Sequence, residues 1–271
     1  DWPTVREQLR DRSFELVGRE VDSALLWPVD VFKFDRRRHE SLMLFESPEG
    51  KKGTQPEASK AGKRYYGLHE LDRKLEAYLD FDDGYFVELG ANDGVAQSNT
   101  LYFERERGWR GVLIEPILHN FLKCRQNRSP ANAFYCAACV ATDYEQPYVR
   151  LTYSNLMTVP HGVESDIADP AQHARSGSTY LPAGDSIVDV LACARTLGSL
   201  LEEADAPNVM DLLSLDVEGG EVEVLKGLDH QRYRFRYLLV ESRSPERLTE
   251  YLSQVGYLQI DKLSHHDYLF A

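Results

Sequence analysis

The chain has 271 residues and an acidic balance, with 31 Lys and Arg against 44 Asp and Glu and a formal net charge of −13. Its length fits one large α/β domain with an extension, and 42% hydrophobic residues can form a substantial core. Because a negative surface repels phosphate backbones, we expect no nucleic-acid partner. No apolar stretch approaches the roughly 20 residues of a membrane helix, so we expect no membrane span.

The four cysteines are too few for a disulfide framework in a chain of this length. Cys136 and Cys139 have the spacing of a metal-binding pair, but no second cysteine pair or nearby histidine completes a zinc site. We therefore expect free, mostly buried thiols. Together with the acidic composition, they favour a cytoplasmic location.

Residues 1–64 differ from the rest of the chain and read as a charged, partly helical extension. Spaced apolar positions predict a helix within 4–26, and the Gly, Pro, Ser and Lys of 49–63 indicate a linker. Such an extension can dock to a larger biosynthetic enzyme. We expect the catalytic domain to span 65–271.

From residue 65 onward, short apolar runs alternate with helical segments, which is typical of a mostly parallel sheet. Leu68, Leu71, Leu75 and Leu79 recur at helical spacing before a turn at 82–84. Strands are predicted at 85–89, 111–115, 133–140, 211–216, 237–241, 257–260 and 268–270. The last two are close enough to form an antiparallel hairpin, so we expect a Rossmann-like, seven-stranded α/β fold.

An insertion of about 143–207 separates the third and fourth of these strands. It contains predicted strands at 148–153 and 186–191 and a predicted helix at 196–204. Between them, 154–185 is rich in Pro, Gly, Ser, His and Asp, and long irregular segments in compact domains are often functional. We expect this part to face the substrate. Its histidines His161 and His173 either reach the substrate or are solvent-exposed loop residues, and the second interpretation is the stronger one.

The first strand runs into the sequence Glu-Leu-Gly-Ala-Asn-Asp-Gly at 88–94. Small residues allow the backbone to turn sharply and approach a ligand. The loop is neither a GxGxxG motif nor a P-loop, and its leading carboxylate suits the cationic amine of a methionyl group. This favours S-adenosylmethionine over a dinucleotide, which is the second choice. The candidate cofactor-binding residues here are Glu88, Gly90, Ala91, Asn92, Asp93 and Gly94.

Glu115 ends the second strand, where an acidic side chain can accept hydrogen bonds from both ribose hydroxyls. Pro116 follows it and ends the strand. Just beyond the third strand, Asp143 can approach the adenine side of the cofactor, and Ala137 and Ala138 within that strand can pack against the adenine or bond to it through their backbone. These positions complete the predicted cofactor site.

The sequence Leu-Asp-Val-Glu-Gly-Gly-Glu at 215–221 resembles the DxEGxE signature of FkbM-type methyltransferases, with Lys226-Gly227 following in place. The loop at 88–94, Glu115-Pro116, the Ser-Asn-Thr at 98–100 and the closing residues 266–270 resemble the same family, so the similarity spans about 66–271. The resemblance implies a class I methyltransferase that moves a methyl group from S-adenosylmethionine to a hydroxyl of a sugar, glycan or other natural product. It also adds Asn99 to the cofactor site.

An alcohol is a weak nucleophile at neutral pH, so a base or a metal is expected beside the acceptor. Asp216 is the first candidate, because ligands bind at the carboxyl ends of the strands. One of His265 and His266 can line the pocket or have a hydrogen-bonded structural role. In one mechanism Asp216 or a nearby histidine is the general base. In the other, Asp216 and Glu241 hold Mg²⁺ or Mn²⁺.

Glu218 is a further catalytic candidate, whereas Glu221 suits either a functional role or the positive end of a helix dipole equally well. Two other classes of function stay open. One is a catalytically inactive binding or assembly module, and the other is an NAD(P)-dependent oxidoreductase, which the missing GxGxxG disfavours.

Overall fold

The computed structural model describes residues 14–21, 28–34, 64–181, 183 and 185–271. The chain divides into two compact units, Asp1–Lys60 and Ala61–Ala271. In the first unit, β1 (Phe14–Val21) pairs antiparallel with β2 (Pro28–Phe34). The helix predicted within 4–26 is therefore wrong over 14–21, where β-branched valines favour a strand and an interior glycine disfavours a helix. The rest of that helix and the linker at 49–63 lie outside the described residues.

The second unit opens with a 3-10 turn at Leu68–Glu70 and a short helix, α1 (Leu71–Leu75). The predicted leucine spacing holds for burial, since Leu71, Leu75 and Leu79 are all buried. The helix is shorter than the spacing predicts. His69 and Glu70 have φ of 54° and 58°, so regular helical backbone begins only at Leu71.

The remaining elements of this unit follow in chain order. They are β3 (Tyr85–Leu89), α2 (Leu101–Arg107), β4 (Arg110–Ile114), α3 (Leu118–Asn127), β5 (Ala133–Tyr135), β6 (Ala138–Cys139), β7 (Tyr148–Tyr153), β8 (Val159–His161), α4 (Pro170–Ser176), β9 (Val188–Arg195), α5 (Leu197–Glu203), β10 (Val209–Leu215), α6 (Glu221–Lys226), β11 (Arg234–Glu241), α7 (Pro245–Gln254), β12 (Gln259–Lys262) and β13 (Asp267–Phe270).

The main sheet has the strand order β12-β13-β11-β10-β3-β4-β5. Strands β5, β4, β3, β10 and β11 run parallel, and β13 is antiparallel to both β11 and β12. The sheet is thus mixed, and its C-terminal pair is the predicted antiparallel hairpin. The chain winds outward to one side from β3 and to the other from β10, so a ligand crevice is expected where these two strands end.

Both faces of the sheet are buried, which explains the uninterrupted apolar runs of its strands. Val87 and Leu213 lie in one core cluster, whereas their neighbours Phe86 and Leu212 lie in the other, on the opposite face. Because both layers are packed, the strands and their carboxyl ends are held in fixed positions. No helix of the described residues is long and apolar enough to cross a membrane.

The predicted third strand, 133–140, is two strands in different sheets. β5 pairs with β4, while β6 pairs with β9 in a four-stranded sheet of order β6-β9-β7-β8. The residues between β5 and β6 leave the main sheet and become a pocket wall, which a continuous apolar run does not reveal.

The insertion is more ordered than its composition indicates. β7, β9 and α5 confirm the two predicted strands and the predicted helix, with β9 running longer than expected. The segment expected to be irregular contains β8 and α4. Asp169 begins α4 by accepting a hydrogen bond from the Gln172 amide, and Pro170 occupies the first turn.

Candidate active site

A pocket of about 360 Å³ lies at the carboxyl ends of the central strands, a volume usual for small-molecule sites. It brings together most of the predicted site residues. Those that line it are Glu88, Gly90, Ala91, Asn92, Asn99, Glu115, Pro116, Ala138, Asp216, Glu218 and Glu241. The other two, Asp93 and Gly94, belong to the loop but do not line the pocket.

Gly90 is the point of closest backbone approach in the loop after β3. Its φ is +75°, and an added Cβ would lie 1.9 Å from the backbone oxygen of Asp216. The Asp216 amide in turn donates to the Leu89 carbonyl over 3.4 Å. Only glycine allows the backbone at the end of β3 to approach the end of β10 this closely. Gly90 also lines the pocket, with no side chain to fill it.

Glu88 has both carboxylate oxygens engaged by protein groups. Oε2 accepts from Thr100 Oγ1 at 2.7 Å and from the fully buried Arg128 guanidinium at 3.0 Å, and Oε1 accepts from the Asn99 amide at 3.0 Å. Ser98 Oγ also lies 3.0 Å from Oε1. The carboxylate therefore ties the loop to the start of α2, and Arg128 balances its charge.

Asp93 and Gly94 stabilise the turn without lining the pocket. Asp93 Oδ1 accepts hydrogen bonds from the Val95 and Ala96 amides at 2.9 and 2.8 Å. Gly94 has φ +78°, and a Cβ there would press against Arg128 and Cys124. These residues serve the pocket through the conformation of the loop.

Glu115 projects into the pocket just beyond β4 and is buried. Its two oxygens accept one backbone hydrogen bond each, from Ile117 and Asn92, both at 2.8 Å. Burial raises the pKa of Glu115 to about 7, against the lowering effect of these hydrogen bonds. A carboxylate oxygen can accept more than one bond, so both atoms retain capacity toward a ligand.

Pro116, Ala137, Ala138 and Cys139 form the adjoining wall of the pocket. Ala137, Ala138 and Cys139 lie where the chain leaves β5 and enters β6, whereas Pro116 follows β4. Asp143, which the sequence placed near the adenine side, is exposed and lies outside the pocket lining.

Asp216 and Glu241 lie side by side, because Leu215 pairs with Val240 in the parallel register of β10 and β11. Asp216 keeps an exposed surface toward the pocket although protein surrounds it. Burial, followed by the neighbouring Glu241 and Glu218 carboxylates, raises the pKa of Asp216 well above its usual range. Ligand oxygens of the three acids lie within 4.8 Å of one another.

Two cationic or polar side chains contact this acidic group, and sequence reasoning missed one of them. Arg243 contacts Glu218 at 3.1 Å and Glu241 at 3.3 Å. His173 Nε2, from α4 of the insertion, lies 2.7 Å from Glu218 Oε2. Glu218 itself has a left-handed φ of 56°, a strained backbone of the kind that clusters at functional sites.

Glu221 has a structural position at the start of α6. Its Oε1 accepts hydrogen bonds from the Val217 and Gly219 amides at 3.2 and 3.1 Å, and burial raises its pKa to about 8. Glu221, the last acid of the DxEGxE sequence, therefore stabilises the turn that contains Glu218.

The remaining walls come from the insertion and from residues near both ends of the unit. Those not singled out from the sequence include Leu68, His69, Asn155, Met157, Tyr180 and Arg243. His265 and His266 both line the pocket. His161 instead bonds to Thr152 Oγ1 at 2.7 Å. Asn155 Oδ1 accepts a 3.0 Å hydrogen bond from Asn92 Nδ2, which links the insertion to the loop after β3.

With this geometry in place, comparison with known proteins defines the class. The methyltransferase FkbM domain matches residues 88–264, which is more than half of the chain. The chain belongs to this family and is a methyltransferase. No curated protein matches it. Among solved structures, it is similar to precorrin-6y C5,15-methyltransferase from Geobacter metallireducens GS-15, with 12% identity, a TM-score of 0.39, and coverage of 78% of this chain and 91% of that one.

Proposed function

We propose that the protein is a class I, S-adenosylmethionine-dependent O-methyltransferase that acts on a hydroxyl of a sugar, glycan or other hydroxylated natural product. The observation that carries this proposal is the Gly90 turn, open to the pocket between Glu115 on one side and Asp216 on the other. The membership of the FkbM family supports it.

The residues present fit this cofactor. Glu115 offers two oxygens, each with a single protein donor, to the two ribose hydroxyls. Pro116 and Ala138 supply an apolar wall for the adenine. Asn99 lines the pocket, and its buried Oδ1 has no hydrogen-bond partner among the described residues.

Glu88 takes a different role from the one its sequence position indicates. Its carboxylate is already neutralised by Arg128 and bonded to the start of α2. We therefore propose that Glu88 stabilises the conformation of the cofactor loop. We assign the contact with the methionyl group to neighbouring residues of the pocket wall.

S-adenosylmethionine, when bound, supplies an electrophilic methyl group. The chain's own task is to place an acceptor hydroxyl in line with that methyl and to remove the hydroxyl proton. Asp216 is suited to take the proton, since it faces the pocket at the end of β10. Glu241 and Glu218 stand beside it and set its electrostatic surroundings.

A divalent cation held by Asp216 and Glu241 is the alternative to a general base. The three-carboxylate group supports it, because hard cations such as Mg²⁺ prefer oxygen ligands. The two versions differ under chelation. If a metal takes part, EDTA abolishes turnover and Mg²⁺ or Mn²⁺ restores it; if a base acts alone, EDTA leaves turnover unchanged.

The acceptor side of the pocket supports a hydroxylated ring as substrate. Tyr180 and Leu68 are about half exposed at the pocket and offer apolar surface to a ring face. His265 and His266 supply hydrogen-bonding groups on the same lining. Mixed apolar and polar walls of this kind bind sugars and natural products better than a bare ion or a phosphate.

A transfer screen with isotope-labelled donor tests the proposal. Acceptors are nucleotide sugars, free glycans and hydroxylated small molecules, each with an amino-substituted analogue at the same position. We expect label on the hydroxyl compounds only. Label on the amino analogues alone would refute O-specificity, and no transfer to any acceptor despite donor binding would favour the inactive binding module. A cytoplasmic location stays a prediction, supported by the four free cysteines.

A further inference from the structure

The acidic group formed by Asp216, Glu218 and Glu241 already has a positive charge beside it, the guanidinium of Arg243. Arg243 follows β11 by two residues and is only partly exposed, with 29% of its side chain accessible. Its Nη2 atom lies 3.1 Å from Glu218 Oε2 and 3.3 Å from Glu241 Oε1. One guanidinium thus bridges two of the three carboxylates that lie close enough together to hold a metal ion.

Hydrogen bonds to Asp166, a residue of the insertion, hold the backbone around Arg243 in place. Asp166 Oδ2 accepts hydrogen bonds from the Arg243 amide at 2.8 Å, from the Ser244 amide at 3.0 Å and from Ser242 Oγ at 3.1 Å. The Ser242 amide donates to the His266 carbonyl at 2.8 Å. The guanidinium therefore starts from a rigid backbone, and its planar, permanently charged donors suit two carboxylates at once.

A divalent ion competes poorly for these oxygens. Glu218 Oε2 faces both Arg243 and His173, which lies 2.7 Å away. Mg²⁺ requires near-octahedral oxygen ligands at about 2.0–2.1 Å. An ion bound to Glu218 and Glu241 at that distance would stand within a few ångströms of the guanidinium, and two cations so close repel strongly.

We propose that Arg243 is the resident cation of this site, a positioning residue that holds Glu218 and Glu241 beside Asp216 and makes divalent metal unnecessary. The structural part of this inference concerns the charge balance of the acidic group. Its consequence for methyl transfer rests on the proposed function.

Manganese binding to the 271-residue chain tests the inference, with Mn²⁺ followed by electron paramagnetic resonance. The variants are Arg243→Met, which keeps an apolar stem without the charge, and Arg243→Lys, which keeps the charge. The matched control is Arg247→Ala, four residues further on in α7, because Arg247 pairs with Glu164 outside the acidic group.

The wild type, Arg243→Lys and Arg247→Ala are expected to show no stoichiometric Mn²⁺ site. Arg243→Met gains one, at least about tenfold tighter than the wild type, a change of about 1.4 kcal/mol. A further Glu241→Gln substitution removes it. Stoichiometric Mn²⁺ binding by the wild type that Glu241→Gln abolishes would overturn the inference. So would a folded Arg243→Met chain with no gain of metal affinity.

Two further readouts keep the result decisive. If Arg243→Met fails to fold, as judged by circular dichroism, Arg243→Gln takes its place as the uncharged variant. Titration of S-adenosylmethionine into the wild type is run separately. Its failure would count against the proposed function, whereas the manganese result alone decides on Arg243.

Discussion

Gly90 and Gly162 share a φ of +75°, but they differ in what a side chain would meet. At Gly162 nothing lies within 4 Å of an added Cβ, whereas at Gly90 the Asp216 backbone oxygen lies at 1.9 Å. The pair therefore separates the cost of left-handed backbone from the cost of the close approach between β3 and β10.

We expect Gly162→Ala to lower the free energy of unfolding by about 1–2 kcal/mol and to leave cofactor affinity unchanged. Gly90→Ala should cost about 1–3 kcal/mol more, because the backbone must shift, and should abolish S-adenosylmethionine binding. Denaturant unfolding and calorimetric titration of both variants check this. Equal effects in the two variants would mean that Gly90 does not set the cofactor gap.

Glu115 should make cofactor binding depend on pH. Burial raises its pKa to about 7, and ribose hydroxyls donate best to the ionised carboxylate. The affinity for S-adenosylmethionine should therefore fall as pH drops below about 7, by at most about tenfold per pH unit. Glu115→Gln should bind more weakly, with a profile that is flat between pH 6 and 8. A wild-type profile as flat as that of the variant would contradict this role.

The same raised pKa has the opposite effect on the stability of the cofactor-free protein. Because burial disfavours the charged form, the stabilising contribution of Glu115 is complete below its ordinary pKa of 4.5. It is lost as pH rises through about 7, so the pH that favours binding is not the pH that favours the empty protein.

At the scale of elements, a pair of asparagines joins the loop after β3 to the insertion. Asn92 and Asn155 have left-handed φ of 47° and 53°, and their side chains share a 3.0 Å hydrogen bond. Asn155 Nδ2 also donates to the Tyr180 carbonyl at 2.5 Å. Asn155 thus links the loop after β3 to the backbone of Tyr180, a residue of the pocket lining.

Asn155→Gly should remove both contacts without backbone strain. We expect the KM for the acceptor and the Kd for S-adenosylmethionine each to rise about fivefold, the value of one hydrogen bond of about 1 kcal/mol. Ser176→Ala, in α4 of the same insertion, loses only an exposed bond to the Gln172 carbonyl and is the control. If the KM and Kd values of Asn155→Gly equalled those of the control, the hydrogen bonds of Asn155 would make no contribution to binding.

The central strands and the cofactor loop were predictable because both depend on local sequence. Strands buried on both faces are continuous apolar runs, and a turn as tight as that at Gly90 requires glycine. The split of 133–140 into β5 and β6 was not predictable, since its cause is the pairing of β6 with β9, whose residues lie far along the chain.

The charges that balance the site were also beyond the sequence. Arg128 and Arg243 are separated from their partners Glu88 and Glu218 by 40 and 25 residues. Nothing in local spacing distinguishes them from surface arginines. Buried ion pairs of this kind are properties of the tertiary fold.

At the scale of the whole molecule, the described pocket-lining residues belong to one of the two compact units. All pocket-lining residues described lie within residues 68–267, whereas the first compact unit ends at Lys60. Deleting residues 1–60 should therefore change the Kd for S-adenosylmethionine by no more than about twofold, as calorimetry can measure. A truncated chain with an unchanged melting temperature but no cofactor binding would contradict this. Docking of the extension to a biosynthetic enzyme stays a prediction.

The proposed function depends on which cofactor enters the pocket. Calorimetric titration of S-adenosylmethionine, NAD and NADP into the wild type and Glu115→Ala decides this most directly. We expect one S-adenosylmethionine site per wild-type chain, no site in Glu115→Ala and no binding of either dinucleotide. Saturable dinucleotide binding without S-adenosylmethionine binding, or undiminished S-adenosylmethionine binding by Glu115→Ala, would contradict the assignment.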